Sequence, residues 1–262
     1  MLRMTEGSSA ERETRMSAQI KISTRASEQI EADLRKLLTL GGYGAWGLLA
    51  YSLATLVVLI VIGGQPETAQ AGFMLLAENR VLGLLRLDVL TILVMPLYYL
   101  VFLGLYTALR GTDNALALLA AALAFAGVTL ILATPSAFSF LTLSDRFAAA
   151  ASEAQRTLLL AAGEAVLASD LWHGSGALIG GLLLQTAALL ASVVMLRSRA
   201  FSRLTAWIGV VTHGLDLLHL LVGFFLPAGG VVLLMVAGPL YLIWFPLLAR
   251  DFSRLARGGA TE

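Results

Sequence analysis

Four ionisable residues fall inside long apolar stretches of this chain, where a charged side chain needs a physical reason. Asp88 lies in one stretch, His213, Asp216 and His219 lie together in another, and Arg86 closely precedes Asp88. A charged side chain near the centre of a membrane helix costs about 2.5–3.5 kcal/mol on insertion scales. At about 100° per residue, the three residues of the second stretch occupy one arc of a helix. We expect this arc to face the interior of a helical bundle.

Histidine and aspartate inside a membrane can serve several functions. They can form a buried network that holds helices together, or they can relay protons or ions. They can also bind zinc, iron or haem, for which imidazole and carboxylate are suitable ligands. Metal binding is less favoured because His213 and His219 are six residues apart, not four, and bis-histidine haem would need His173 from another segment. Lipid or quinone binding is a further alternative.

The depths of these residues predict a polar pocket in the outer half of the membrane. Asp88 lies six residues after the start of its stretch, and His219 lies six residues before the end of its own. With a rise of 1.5 Å per residue, both lie roughly 9 Å below the outer surface, so they could meet if their helices are neighbours. Asp170 and His173 precede another apolar stretch and are expected at the outer mouth, beneath a helix at 153–169.

The elements that position these residues are membrane helices. Hydrophobic residues make up 58% of the chain and charged residues 13%, whereas about a quarter of a soluble domain is charged. A helix needs roughly 20 apolar residues to cross a bilayer. We therefore predict an all-α polytopic bundle of about six transmembrane helices. The predicted spans are 43–63, 82–108, 114–134, 175–196, 205–225 and 229–249.

The distribution of positive charge predicts the orientation. From Lys21 onward, eleven Lys and Arg residues fall on the side of both termini and four on the other side. The positive-inside rule then places both termini in the cytoplasm. The chain is predicted to be a multi-pass protein of the bacterial inner (plasma) membrane, with the lipid bilayer as its surroundings.

The segments outside the spans have their own predicted structure. Residues 1–42 form a cytoplasmic tail, disordered over its first 25 residues and then an amphipathic interfacial or partner-binding helix at 27–40. Gly41, Gly42 and Gly44 are expected to form a bend into the bundle, 43–250.

The segment that follows the third span, 135–175, is an outer loop with helices. One helix is expected to start at Asp145, and another follows a capping box at Ser152. A shorter helix is expected at 68–79, and residues 251–262 are a C-terminal cytoplasmic tail.

Small residues and prolines mark the packing of the spans. Gly176 and Gly180 form a small-xxx-small pair, which favours packing within the bundle and offers a homo-oligomer or a membrane partner as the alternative. Pro96 interrupts the second span, while Pro239 and Pro246 interrupt the sixth, and each removes an amide donor.

Several classes of protein are disfavoured by composition. The chain has no cysteine, which excludes disulfides, thiolate ligands and a cysteine nucleophile. A net charge of +1 argues against nucleic-acid binding, which needs a clustered basic surface. No catalytic motif appears, so no catalytic residues are assigned, and no cofactor is assigned.

Short segments in the second half of the chain and around Pro96 carry a familiar combination of residues. They are LSDRFAAA at 143–150, EAQR at 153–156, AAGEA at 161–165, VMLRS at 194–198 and MPLY at 95–98 within the run 86–110. Together they resemble an uncharacterised bacterial membrane family catalogued as domain of unknown function 4386, over roughly residues 40–255. The resemblance implies an inner-membrane protein of five to seven helices and supplies no activity.

Three functional hypotheses follow, in descending order. The first is a non-enzymatic structural, sensory or accessory membrane component with a polar pocket in the outer half of the bundle. The second is a small proton- or ion-coupled transporter that uses Asp88, His213, Asp216 and His219 as relays. The third is a metal- or haem-dependent membrane enzyme.

Overall fold

In a computed structural model, which describes residues 5–134, 137–171 and 173–258, the chain is a bundle of α-helices. The described residues contain no β-strand. The helices are α1 Thr5–Val57, continued by a π-helical turn Val58–Ile62, then α2 Ala69–Glu78, α3 Arg80–Arg86, α4 Val89–Val94, α5 Leu97–Leu109, α6 Asn114–Ala133, α7 Ala137–Ala148, α8 Glu153–Leu167, α9 Ser175–Arg197, α10 Arg203–Phe225 and α11 Pro227–Ala256.

Six helical segments in the described residues are long and apolar enough to cross a membrane, which confirms the predicted all-α polytopic fold. The first segment, Glu28–Ile62, is the second half of α1 with the π-helical turn, and the second, Val89–Leu109, is α4 with α5. The other four contain α6, α9, α10 and α11. The last two, α10 and α11, are joined at Leu226 alone. Helix α11 continues to Ala256, into the segment predicted as a tail.

The core of the bundle is built from small residues that let helices approach closely. Alanines of α6 and α9 are buried against each other, and α10 packs along both α9 and α11. A Cβ placed on Gly127 of α6 would lie 2.6 Å from the Gly180 carbonyl oxygen, and one on Gly176 would lie 2.6 Å from Thr134 Oγ1. The Gly176/Gly180 pair therefore packs α9 against α6 within one chain. A homo-oligomer or membrane partner through this pair stays a prediction.

Helix α1 differs from the predicted N-terminal structure. Helix begins at Thr5, where disorder was predicted, and residues 27–40 belong to the same continuous helix. Their placement at the membrane interface stays a prediction. The predicted glycine bend is wrong. A Cβ on Gly41 would lie 3.2 Å from Gly104 Cα, and one on Gly44 would lie 3.1 Å from the Leu97 carbonyl oxygen. These glycines allow close packing of α1 on α5.

One end of the bundle is covered by a cap made of α2, α3, α7 and α8. Phe73 and Phe140 form its core, with ring centroids 4.8 Å apart. The predicted capping box of α8 is confirmed, since Ser152 Oγ accepts from Gln155 N at 3.2 Å. The predicted start of α7 at Asp145 is wrong, because the helix begins at Ala137. We call this end the cap side and the opposite end, where α11 ends, the terminal side.

The second span is shorter than predicted. Helix α3 ends at Arg86, and the apolar span begins at Val89. Asp88 lies between them with φ of 58°, so it stands at the edge of the span and not inside a continuous helix. Pro96 separates α4 from α5, as its missing amide predicts. Helix α11 continues through Pro239 and Pro246.

Candidate functional site

The structure divides the predicted site residues between two places. His213 and Asp216 lie in the interior of the spans, where they meet side chains of α9 and α11. Arg86, Asp88 and His173 line a pocket on the cap side. The single pocket expected from the sequence is therefore replaced by a central network and a cap-side pocket.

The central network joins three spans through four polar side chains. Asp216 Oδ2 accepts from Gln185 Nε2 at 2.7 Å and from the Tyr241 hydroxyl at 2.6 Å. His213 Nδ1 lies 2.8 Å from Gln185 Oε1, and an amide oxygen can only accept, so this imidazole nitrogen donates. Gln185 belongs to α9, the histidine and aspartate to α10 and the tyrosine to α11. The network therefore fixes the packing of these helices.

The histidine of the network is held by aromatic rings. His213 is 1% exposed, and its ring centroid lies 4.4 Å from that of Trp244 in a T-shaped arrangement. Trp244 Nε1 approaches α10 at Gly209, where an added Cβ would lie 2.6 Å from it. Three buried atoms here have no hydrogen-bond partner among the described residues: His213 Nε2, Trp244 Nε1 and Thr212 Oγ1. The Nε2 edge of the imidazole is therefore enclosed by packed side chains and makes no hydrogen bond to a described residue.

His219 does not join the pocket predicted for it. Its Nδ1 lies 2.9 Å from the Gly230 carbonyl oxygen, to which it donates, and this bond ties α10 to α11. Asp88 stands before α4, which packs against α1. Asp88 and His219 have similar predicted depths, but their helices pack against different neighbours. Depth alone therefore could not predict whether they meet.

The cap-side pocket lies where the first span ends and the second begins. It is open to the surroundings and has a cavity volume of about 310 Å³. Its lining combines the charged and polar side chains with apolar ones: Thr55, Val58, Leu59, Gly63, Gly64, Gln65, Leu85, Arg86, Asp88 and His173. Arg86 Nε donates to the Gly64 carbonyl oxygen at 2.6 Å, which holds the guanidinium against the Gly63–Gly64 backbone.

The backbone of this pocket is irregular in three places. The π-helical turn Val58–Ile62 forms one wall, Gly63 has φ of 104° and Asp88 has φ of 58°. Among the described residues, the one other position with positive φ is Gly258 near the end of α11. Left-handed backbone at a residue other than glycine is uncommon, so its coincidence with the π-helical turn singles out this region of the molecule.

Asp170 and His173 occupy the junction between cap and bundle. The Gln65 side-chain amide donates to Asp170, whose Oδ1 also lies 3.2 Å from His173 N and 3.1 Å from His173 Nδ1. His173 Nδ1 is 3.1 Å from the Leu167 carbonyl oxygen, so this nitrogen carries a proton. A much smaller cavity, of about 10 Å³, is lined by both Asp88 and Asp170. The position of the two residues at the outer mouth of the bundle stays a prediction.

Sequence reasoning missed a polar cluster on the terminal side. Asp251 is 3% exposed, and its Oδ2 accepts from Ser202 N at 3.0 Å and from Thr205 Oγ1 at 2.6 Å. Its Oδ1 lies 3.3 Å from an Arg254 nitrogen. This carboxylate binds the amide of the residue that caps α10 and a hydroxyl of its first turn, and so fixes α11 against α10. The Ser-x-x-Thr pattern before α10 was the available signal.

Gln185 and Tyr241 were also missed as members of the central network. Gln185 lies within the fourth predicted span, where a polar side chain needs a partner. Tyr241 lies within the sixth predicted span. Its hydroxyl is the group that joins α11 to Asp216.

No group of three or more His, Cys, Asp or Glu side chains in the described part of the chain is arranged to hold a metal ion. The closest association of histidine with carboxylate on the cap side is the Asp170–His173 pair. Comparisons with protein-family models, with curated proteins and with solved structures found no match to this chain. The resemblance to domain of unknown function 4386 is thus neither supported nor contradicted by them. The function must be argued from the geometry.

Proposed function

We propose that this chain is a non-enzymatic sensory or accessory membrane component that binds a small ligand in the cap-side pocket. The observation that carries the proposal is the convergence of irregular backbone and charged side chains on one concave surface. Gly63 and Asp88, the two positive-φ residues near the bundle, both line it, together with Arg86 and His173.

Strained backbone is the strongest part of this argument. Unusual backbone conformations cost on the order of 1–3 kcal/mol each and cluster at binding sites and switch regions. π-Helical turns within α-helices are frequent at functional sites for the same reason. A fold that needed only to be stable would favour regular helix at Val58–Ile62 and a glycine at position 88. Their retention beside a pocket supports a binding role.

The central network supports a structural role. Asp216, Gln185, Tyr241 and His213 Nδ1 bond to one another across three helices. Buried polar groups that satisfy each other in this way hold membrane helices together. A ligand site, in contrast, needs donors and acceptors that can be reached from outside. We therefore assign ligand binding to the cap side and helix locking to the network.

A pocket-filling variant tests the proposed function. Leu85→Trp places an indole in the cap-side pocket, and Leu118→Trp adds the same ring on the exposed face of α6 as a matched control. Native mass spectrometry in mild detergent measures small molecules that copurify with each protein. We expect the wild type and Leu118→Trp to retain a bound molecule that Leu85→Trp loses. Equal retention in all three, or none in the wild type, would refute the proposal.

Proton- or ion-coupled transport is the second candidate function, because titratable groups occur along the depth of the bundle. Tyr51 bonds to Thr91 at 2.6 Å and lies within electrostatic range of Asp88. Tyr98 lies within electrostatic range of both Tyr51 and Asp216. A row of hydroxyl and carboxyl groups thus extends from the cap-side pocket towards the central network, as a proton relay requires.

Asp216→Asn distinguishes transport from a structural network. In proteoliposomes with a pH-sensitive dye, a relay predicts that this variant loses proton flux while its helical content is retained. Asp33→Asn, on the exposed part of α1, is the matched control and should keep the flux. Absence of wild-type flux, or flux unaffected by Asp216→Asn, would remove transport. A fall in thermal stability without any flux supports the structural interpretation.

The metal- or haem-dependent enzyme is the third candidate and has the least support. His213 and His219 are directed to different partners, Gln185 and Gly230. The ultraviolet–visible spectrum and elemental analysis of the purified protein test it. A stoichiometric metal or a haem band that disappears in His213→Ala would restore this candidate.

We also propose that the chain is a bacterial inner-membrane protein of the family catalogued as domain of unknown function 4386, with both termini in the cytoplasm. The cysteine-free sequence makes the orientation measurable. Thr112→Cys and Ala151→Cys introduce single thiols at exposed positions on opposite sides of the bundle. A membrane-impermeant maleimide applied to intact cells should label position 151 and spare position 112. The reverse labelling would invert the proposed topology.

A further inference from the structure

We infer that the ligand of the cap-side pocket is a membrane amphiphile whose head group carries a negative charge. This inference rests on the proposed function and names the chemical class that the same pocket would take. Three features support it: the depth of the pocket, the donors available in it and the apolar surface beside it.

The pocket lies at the level where lipid head groups are found. The first apolar span ends at Ile62 and the second begins at Val89. Gly63, Arg86 and Asp88 therefore occupy the edge of the hydrocarbon region, between the last apolar residue of one span and the first of the next. Lipid head groups occupy the polar layer that borders the hydrocarbon core, so the pocket lies at their level.

Arg86 supplies the positive charge. Its one hydrogen bond to the described residues uses Nε, which donates to the Gly64 carbonyl oxygen. No described residue bonds to its two terminal nitrogens, and a guanidinium binds phosphate or carboxylate with paired N–H groups. The Gly64 bond also fixes the plane of the guanidinium, so little conformational freedom is lost when an anion binds.

His173 adds a second polar contact on the same lining. Its Nδ1 is engaged by Asp170 and the Leu167 carbonyl, which leaves Nε2 for a head-group hydroxyl or phosphate oxygen. Its side chain is 61% exposed, so this nitrogen is accessible. Asp88 contributes a negative charge to the lining. Asp88 therefore repels a multiply charged anion more strongly than a head group with a single negative charge that binds Arg86.

The apolar part of the ligand has a surface to lie on. Val58 and Leu59 line the pocket, and the next residues of the π-helical turn face outward, with Ile60 73% and Val61 76% exposed. The pocket lining is thus continuous with the lipid-facing surface of the first span. An acyl chain can remain in the bilayer along this surface while its head group reaches Arg86.

Lipid-binding measurements on a pair of arginine variants test the inference. Purified full-length protein in neutral detergent is titrated with phosphatidylglycerol, phosphatidylcholine or soluble glycerol phosphate and followed by native mass spectrometry. Arg86→Gln removes the proposed head-group contact. Arg80→Gln, on the same helix, removes an exposed arginine that pairs with Asp145 at 2.7 Å and is the matched control.

We expect phosphatidylglycerol to bind the wild type and Arg80→Gln alike, and Arg86→Gln roughly tenfold more weakly, the effect of losing one charge-assisted contact. Phosphatidylcholine should bind less well than phosphatidylglycerol. Equal lipid binding by wild type and Arg86→Gln would overturn the inference. Binding of glycerol phosphate as tight as that of the lipid would assign the pocket to a soluble anion and also overturn it.

The two proposals fail in different ways. If Leu85→Trp loses a copurifying molecule but phosphatidylglycerol does not displace that molecule from the wild type, the pocket binds a ligand and the amphiphile inference is wrong. If neither Leu85→Trp nor Arg86→Gln changes the amount of any bound molecule, both the proposed ligand-binding function and the amphiphile inference are wrong.

Discussion

The central network and the cap-side pocket place similar residue types in opposite surroundings. In the network, His213 and Asp216 lie on one regular helix, and their partners come from the two helices packed beside it. In the pocket, Arg86 and His173 lie at helix ends or in a turn, beside backbone with positive φ. The same chemical groups are enclosed in the first region and accessible in the second.

This contrast connects local backbone structure to function. Regular helices can position polar groups so that they satisfy one another, and the result is a rigid interior. Irregular backbone leaves polar groups at an edge, where a ligand can complete their bonding. Changes in the network should therefore act on stability, whereas changes in the pocket should act on binding.

The largest expected effect comes from the packing around His213. A Cβ on Gly209 would lie 2.4 Å from Ser192 Oγ and 2.6 Å from Trp244 Nε1, so Gly209→Ala must displace the indole that packs on the imidazole. Overpacking of this kind costs about 1–3 kcal/mol. Gly214→Ala, on the same helix with no atom within 4 Å of the new Cβ, is the matched control. Thermal unfolding in detergent should separate the two variants.

A tolerated Gly209→Ala would break the comparison, because it would show that the interior next to the network is loosely packed. The control is expected to be neutral or slightly more stable, since alanine has the higher helix propensity. Both variants should keep the lipid binding of the wild type.

Loss of one hydroxyl should have a smaller effect on the network. Tyr241→Phe removes the bond of 2.6 Å to Asp216 and the contact of 3.1 Å with Gln185, and the ring is kept. Interhelical hydrogen bonds in membranes contribute about 0.6 kcal/mol on average and up to roughly 1.7. We expect a loss of about 1 kcal/mol in the free energy of unfolding. Tyr43→Phe, on the exposed face of α1, should have no effect.

A double-mutant cycle sharpens this test. If the network is a unit, Tyr241→Phe and Gln185→Leu should together cost less than the sum of their separate effects, because both act on Asp216. Strict additivity would show that the two bonds are independent and that the network is a set of separate contacts.

A backbone substitution in the pocket should combine a small loss of stability with a loss of binding. Gly63 has φ of 104°, a conformation that alanine adopts at a cost of about 1 kcal/mol or more. Gly63→Ala should therefore lower stability by about 1 kcal/mol and disturb the carbonyl that positions Arg86. At Gly64 an added Cβ would meet a single side-chain atom at 3.8 Å, so Gly64→Ala is the matched control. Equal lipid binding by the two variants would contradict the role of this turn.

The same contrast explains what the sequence could predict. The six spans were predictable because each is a long apolar run, and lipid tolerates no other spanning backbone except a closed barrel. The arc containing His213 and Asp216 followed from helix periodicity. Their partners Gln185 and Tyr241 did not, because neighbour relations between helices are set by small-residue packing spread over the bundle.

The pocket was harder to predict because its geometry depends on backbone that departs from regular helix. The run 82–108 is apolar apart from Arg86, Asp88 and a few hydroxyl-bearing side chains, and nothing in its composition marks the left-handed conformation at Asp88. The glycines at 41–44 led to the opposite error. A glycine in a membrane helix can permit either a bend or the close approach of another helix. Here the backbone of Gly104 and Leu97 on α5 lies against these glycines, so they permit close approach.

The smallest effect on stability should come from Arg86→Gln, and this makes it the sharpest test of the comparison. The arginine side chain makes one hydrogen bond to a described residue, at the edge of the membrane. Substitutions at such exposed positions usually change stability by less than about 0.5 kcal/mol. Thermal unfolding of Arg86→Gln should therefore match that of Arg80→Gln, while its binding of phosphatidylglycerol falls. If Arg86→Gln instead unfolds as easily as Tyr241→Phe, then Arg86 stabilises the turn at Gly64, and the division between a stabilising interior and a binding edge fails.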